Sequence, residues 1–93
     1  MAQKNLTASG AIKAAEGNLY ALVITSNGNA AGDTITIEDK ASSGGTAELS
    51  FIVGASVTDL PIVFTPSVGM HFDKGIYCTI TDTGTTNVSA VYD

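Results

Sequence analysis

The chain has 93 residues. That length suits a single domain, because one hydrophobic core needs roughly 50 residues or more and a second core would not fit. Four lysines, no arginine and nine carboxylates give a net charge of −5. This charge would repel a phosphate backbone and excludes nucleic acid as the expected partner.

Charged residues make up 14% of the chain, against about 25% in an ordinary soluble domain. A chain this short buries only roughly 60 to 65% of its unfolded surface, so its stability margin is thin. The lone cysteine, Cys78, excludes a disulfide within the chain. We therefore expect stability to come from a well-packed core, a metal or a partner subunit.

The first residues, MAQKNLTASGAIKAAEG, lack the apolar core of a secretory signal, and no stretch reaches the roughly 20 apolar residues of a membrane span. We expect a protein that is made and kept in a cytoplasm and has no membrane partner. Residues 1–6 are polar without a clear period, and they are interpreted as a possible N-terminal arm that orders on binding.

Along the rest of the chain, apolar residues recur with period two, which predicts half-buried strands. The first strand is predicted at residues 6–13 and the second at 19–25, with one helical turn at 11–17 as an alternative. The later strands follow the sets Ile35/Ile37, Ala47/Leu49/Phe51, Leu60/Ile62/Phe64, Met70/Phe72, Ile76/Cys78/Ile80 and Val88/Ala90/Tyr92. About eight strands at this spacing predict an all-β fold, an antiparallel, jelly-roll-like β-sandwich that forms one domain over residues 1–93.

Two predicted strands are apolar on both sides. In residues 19–25, LYALVIT, alternate residues from Tyr20 to Ile24 fill one face and those from Leu19 to Val23 fill the other. Residues 49–55 are similar around Ile52. Only one face of each sheet meets the core of a two-layer sandwich, so the second face needs another cover. A neighbouring subunit is the simplest cover.

Residues 75–93, GIYCTITDTGTTNVSAVYD, are interpreted as a closing hairpin. If its larger apolar residues face inward, the outward set is Tyr77, Thr79, Thr81, Asn87, Ser89 and Val91. This set is uncharged, whereas exposed β-surfaces usually carry charge and specific contact surfaces are depleted in it. We therefore predict an oligomer or capsid contact here. The alternative is a solvated threonine face, since threonine suits the pleat.

No catalytic residue is expected. His71 is the only histidine, and by alternation with Met70 and Phe72 it faces away from the core. Cys78 falls on an inward face, where a thiol acts as a small hydrophobic group. A nucleophile needs a base within hydrogen-bond reach, and no such pair is indicated. The sequence therefore predicts a surface role for His71 and no enzyme.

No metal or cofactor is expected either. The acidic residues that flank turns are Asp33, Glu38, Asp39 and Asp73. They are dispersed, whereas Ca²⁺ takes about six to eight oxygen ligands, and no phosphate-binding loop, dinucleotide fingerprint or zinc ligand motif is visible. Turn-capping roles are favoured for these acids, with a structural Ca²⁺ or Mg²⁺ site as the alternative.

Two segments carry a family resemblance. They are GNAAGDTITIEDKASSGGTAELSFIV and KGIYCTITDTGTTNVSAVYD, with the strand Thr34 to Ile37, the turn at Asp39, Ala41 and Ser42, and the closing hairpin as the matching features. The chain resembles small β-sandwich virion proteins of tailed bacteriophages, which include capsid decoration (cement) proteins and related head or tail components. Lys40 and Cys78 depart from the pattern.

The resemblance implies a compact β-sandwich, often trimeric, that is made in a bacterial cytoplasm and added to the virion surface. The expected function is a non-enzymatic decoration protein that binds the major capsid protein, or another virion protein, and stabilises the shell. Two alternatives remain open. One is a tail, fibre or other head-associated structural module, and the other is a small carbohydrate-binding module.

Overall fold

The computed structural model describes residues 1–27, 32–53 and 62–93. These residues form nine strands, all joined by antiparallel pairing. The strands are β1 (Ala2–Leu6), β2 (Gly10–Lys13), β3 (Gly17–Asn27), β4 (Thr34–Asp39), β5 (Thr46–Ile52), β6 (Ile62–Phe64), β7 (Met70–Phe72), β8 (Ile76–Thr81) and β9 (Thr85–Tyr92). Within this part of the chain there is no helix that is long and apolar enough to cross a membrane.

The strands form two sheets. Sheet A has the order β1-β9-β3-β6, and β7 also pairs with β3, along the same edge as β6. Sheet B has the order β2-β8-β4-β5. The all-β fold and the antiparallel two-sheet arrangement predicted from period-two alternation are confirmed.

One apolar layer lies between the sheets. Sheet A contributes Leu19, Leu22, Ile24, Phe72, Val88 and Ala90, and sheet B contributes Ile12, Ile35, Ile37, Ile76 and Cys78. All of these side chains are almost fully buried. Each fully buried Leu, Ile or Phe stabilises the fold by about 1.5 to 3 kcal/mol, so this layer holds the two sheets together.

The N-terminal part differs from the sequence prediction. Residues 2–6, interpreted as an arm, form β1 and pair with β9 in the register Gln3 to Val91 and Asn5 to Ser89. The predicted strand at 6–13 is split, since β1 ends at Leu6 in sheet A and β2 begins at Gly10 in sheet B. Lys13 ends β2, and no helical turn forms at residues 11–17.

A β-bulge in β3 changes which residues face the core. The register between β3 and β9 shifts between Leu19 and Ala21, so that Tyr20 is the extra residue. Leu19 and Leu22 therefore both face inward, and Ala21 and Val23 face outward. The strict alternation that placed Tyr20 on the side of Leu22 is wrong because a bulge adds one residue to one strand only.

The last two strands do not form a hairpin. β8 pairs with β2 and β4 in sheet B, while β9 pairs with β1 and β3 in sheet A. Residues 82–84 therefore lead from one sheet to the other. The carboxylate of Asp33 accepts hydrogen bonds from the backbone N–H (3.0 Å) and the hydroxyl (2.8 Å) of Thr83. This contact fixes the corner between the two strands.

We predict that the thiol of Cys78 is inert in the folded protein. Cys78 is fully buried, and burial, with a smaller contribution from the charge of Glu38, raises the pKa of this thiol to about 12. Thiolate is the reactive form, so modification by a disulfide reagent at pH 8 should be at least roughly 100-fold slower in the native protein than in the unfolded chain.

The matched control is Ser50→Cys in a Cys78→Ala background, because Ser50 is exposed on β5. This thiol should react at the rate of the unfolded chain, as absorbance of the released reagent would show. Rapid native modification of Cys78 would contradict the inward position of its side chain on β8.

Candidate functional site

The structure divides the predicted contact residues between two opposite surfaces. Tyr77, Thr79 and Thr81 lie on β8 and face outward from sheet B, whereas Asn87, Ser89 and Val91 lie on β9 and face outward from sheet A. The prediction that the apolar residues of these strands face inward agrees with the structure, since Ile76, Cys78, Val88 and Ala90 are buried. A single contact face made of all six outward residues is wrong, because β8 and β9 belong to different sheets.

On sheet B, the outer face is not neutral. Glu38 on β4 lies beside Thr79 on β8, and the Thr79 hydroxyl donates a hydrogen bond to Glu38 Oε2. Thr36 donates to the same oxygen at 3.4 Å. The other oxygen, Oε1, accepts the backbone N–H groups of Gly44 and Gly45 at 3.1 and 3.2 Å. Thr79 is thus engaged within the sheet.

These contacts hold Glu38 in its charged form. Glu38 is only 6% exposed, and burial by itself would favour the protonated acid. The hydrogen bond from Thr79 is the largest influence, and together with those from Gly44, Gly45 and Thr36 it lowers the pKa of Glu38. Gly44 has a φ of 93°, a conformation that a residue with a Cβ rarely adopts. The turn after β4 therefore positions its amides for this carboxylate.

On sheet A, the outward residues of β1, β9, β6 and the part of β3 after the bulge form one uncharged surface, which we call the sheet A face. It does not include β7 and the start of β3, where charged groups lie. It consists of Gln3, Asn5, Ala21, Val23, Thr25, Val63, Asn87, Ser89 and Val91. Val23 and Val63 are directly paired across β3 and β6 and are 37% and 61% exposed. Asn87, Ser89 and Val91 of this surface were predicted as contact residues, and Ala21 and Val23 lie on the face of the strand at 19–25 that was predicted to need a cover. The other residues were missed because strand pairing, and not local alternation, brings them together.

A second group lies where β3 begins beside β7. His71 is exposed on β7, as predicted, between half-buried Met70 and buried Phe72. Its Nε2 lies 3.1 Å from Glu16 Oε2 and 3.2 Å from Asp73 Oδ1. Its Nδ1 lies 3.0 Å from Asn18 Oδ1. Glu16 was not singled out from the sequence, because it is 55 residues away from His71 along the chain.

The acids considered for a hard cation serve separate turns. Asp33 binds Thr83, as described above, and Glu38 binds the turn at residues 44–45. Asp39 accepts backbone N–H groups from Lys74 at 2.8 Å and Asp73 at 3.3 Å, and the bond from Lys74 is the main reason that the pKa of Asp39 is lowered. The four acids do not converge on one point, whereas Asp73 joins Glu16 and His71.

Comparison of the chain with protein-family models, with curated proteins and with solved structures finds no match in any of the three.

We predict that Glu38 makes stability depend on pH. A carboxylate with a lowered folded pKa contributes stability above its ordinary pKa, here 4.5, and this contribution is lost as pH falls through the lowered folded value. Glu38→Gln removes the ionisation and should cost about 1 to 2 kcal/mol at pH 7. The difference from the native protein should shrink below pH 4.5.

Urea unfolding at pH 7 and at pH 3, followed by circular dichroism, measures both effects. Glu48→Gln is the matched control, because Glu48 is exposed on the neighbouring strand β5, and it should change stability little at either pH. Equal losses for Glu38→Gln at both pH values would show that the negative charge has no part in the effect.

Proposed function

We propose that this protein is a non-enzymatic structural protein of a tailed-phage virion, most simply a decoration protein that self-associates, binds the outer capsid surface and stabilises the shell. The observation that carries the proposal is the sheet A face. It presents nine outward side chains without one charge on a chain whose net charge is −5.

The net negative charge of the chain indicates which partner would bind the sheet A face. A basic partner would gain most from the acidic parts of the surface, and the sheet A face offers it none of that attraction. Two copies of the same acidic chain repel each other, and they approach most easily through a face that has no charge. The sheet A face is therefore assigned to contact between copies of this chain, with a trimer as the expected assembly.

The side chains of this face suit such a contact. Val23 and Val63 form an exposed apolar pair on β3 and β6, and the amides and hydroxyls of Asn5, Asn87 and Ser89 extend the face across β9 and β1. Interfaces typically combine an apolar centre with a polar rim and are depleted in charge at the core. The edge strand β1 carries Lys4, which is exposed, and a lysine on an edge discourages unspecific strand pairing.

The virion role rests on the resemblance of residues 28–53 and 74–93 to phage decoration proteins. The two-sheet fold agrees with the β-sandwich that the resemblance implies. Tail, fibre or other head-associated modules of a phage share this chemistry and are the alternative location.

The self-association is tested with a matched pair of variants. Val63→Lys places a charge on the sheet A face, and Ile52→Lys places one at an exposed aliphatic position, also on an edge strand, but on the outer face of sheet B. Burying an unpaired ammonium is costly, so Val63→Lys should weaken association roughly 100-fold, and Ile52→Lys should leave it unchanged.

Light scattering with size-exclusion chromatography measures the mass, and circular dichroism confirms that both variants fold. A native protein that stays monomeric at micromolar concentration would count against the contact between copies, as would equal masses for the two variants. A cryo-EM reconstruction of the source particle tests location. Density on the capsid surface supports decoration, density in the tail supports the alternative, and absence from the particle rejects a virion role.

A further inference from the structure

The group at the start of β3 is a consequence of strand geometry. β3 and β7 pair antiparallel, with Gly17 opposite Phe72 and Asn18 opposite His71. Successive side chains alternate faces in a strand, so His71 and Asp73 point to the same side, and Glu16 and Asn18 point there from the other strand. Gly17 allows the close packing at this point, because a Cβ there would lie 2.5 Å from the backbone oxygen of Asp93.

The hydrogen bonds of Asn18 determine which nitrogen of His71 carries the proton. The Asn18 amide nitrogen donates to Asp93 Oδ1 at 3.4 Å, and this bond turns Asn18 Oδ1 towards His71. An amide oxygen only accepts hydrogen bonds, so His71 Nδ1 carries the hydrogen. In neutral His71, Nε2 then has a lone pair, and this lone pair faces two carboxylate oxygens.

One oxygen each from Glu16 and Asp73 and the nitrogen Nε2 of His71 thus converge, and together they form a set of ligand atoms that a metal ion can occupy. A divalent metal ion would match both charges and would accept the nitrogen lone pair as well. An imidazole whose other nitrogen donates to a carbonyl oxygen is also the usual arrangement around protein-bound metal, since it fixes the ring and the tautomer.

We propose that Glu16, His71 and Asp73 bind a zinc ion at the β3–β7 end of sheet A, with Asn18 positioning the histidine. Zinc bonds of about 2.0 to 2.2 Å in tetrahedral geometry place neighbouring ligand atoms about 3.3 to 3.5 Å apart. The distances from Nε2 to the two oxygens are 3.1 and 3.2 Å, and all three ligand atoms lie within 4.8 Å of one another. The fourth position is left to water.

The ligand types select zinc over the harder cations. Ca²⁺ and Mg²⁺ prefer oxygen ligands and larger oxygen sets, whereas an imidazole with carboxylates suits zinc and other first-row transition metals. The site would have a structural effect. β7 has only three residues, and its described pairing is with β3. A metal bound by Glu16 before β3 and by His71 and Asp73 on and after β7 ties these segments together. This inference does not depend on the proposed virion role.

The test uses zinc chloride and the full chain without a histidine tag, at pH 7.5. Titration against a chromogenic zinc chelator should give one zinc ion per chain. NMR of the imidazole should show Nε2 as the metal-bound atom and Nδ1 still protonated. Zinc should also raise the thermal midpoint, because a ligand that binds only the folded state stabilises it. Excess Ca²⁺ should not displace the zinc.

Two substitutions test the assignment. His71→Ala should weaken zinc binding at least roughly 100-fold, and it should fold normally because His71 is exposed. Asn18→Ala should weaken binding about 10-fold, since it leaves all three ligands in place but removes the group that orients the ring. Glu16→Gln should weaken binding strongly, and Glu48→Gln, at an exposed acid on sheet B, is its matched control.

Either of two results would overturn the proposal. One is that the native chain does not bind zinc with a dissociation constant below about 1 mM. The other is zinc binding that His71→Ala leaves unchanged, or that NMR assigns to Nδ1, because the metal would then lie outside this group.

Discussion

The burial of one apolar layer between two sheets is the interaction on which the rest of the structure depends. Sheets A and B each supply side chains to this layer, and the chain passes between them after β1, β2, β3, β5, β7 and β8. Without the layer, neither sheet would keep its outward residues in register. Both candidate surfaces of sheet A therefore exist because Leu19, Leu22 and Ile24 of β3 are held inward.

Carboxylates complete this arrangement at the corners. Asp33, Glu38 and Asp39 each accept backbone N–H groups from a turn, and two of these turns lie 50 and 35 residues away along the chain. A hydrogen bond to a charged group contributes more than one between neutral groups, so these bonds stabilise the turns that donate them. Several acids of this chain thus have a structural role that composition alone would assign to solubility.

The sequence predicted the type of structure better than its connections. Period-two alternation correctly indicated an all-β fold, and it placed Ile76, Cys78, Val88 and Ala90 inward. Alternation reports the face of a strand, however, and contains no information on which sheet that strand joins. The residues Asp82 to Gly84 are equally suited to a hairpin turn and to a corner between sheets, so β8 and β9 were wrongly paired.

One further error and one omission also have physical causes. The bulge at Tyr20 shifts the phase of β3 by one residue, and no sequence pattern around it marks the shift. The group of Glu16, Asn18 and His71 depends on the pairing of two strands that are far apart in the chain, so metal-ligand spacing along the sequence could not show it. The signal for this group would be Glu16 and Asn18, an acid and an amide two positions apart, opposite His71 and Asp73 on the paired segment. This signal is visible only when the register of the two strands is known.

The bulge also separates the two surfaces of sheet A that are proposed above, which have opposite chemical requirements. A contact between copies needs a face without charge, whereas a cation site needs carboxylates. Before the bulge, Asn18 faces outward near the start of β3, and Glu16 directly precedes the strand. After the bulge, the outward residues of β3 are Ala21, Val23 and Thr25.

Tyr20, the extra residue, stands between the two surfaces. Its hydroxyl donates to the carboxylate of Asp93 at 3.4 Å, and its ring packs closely over Gly69, where a Cβ would lie 2.5 Å from a ring carbon. Asp93 in turn accepts from the Asn18 amide. The acidic groups are thereby held at the β7 end of the sheet, and the middle of the same sheet stays neutral.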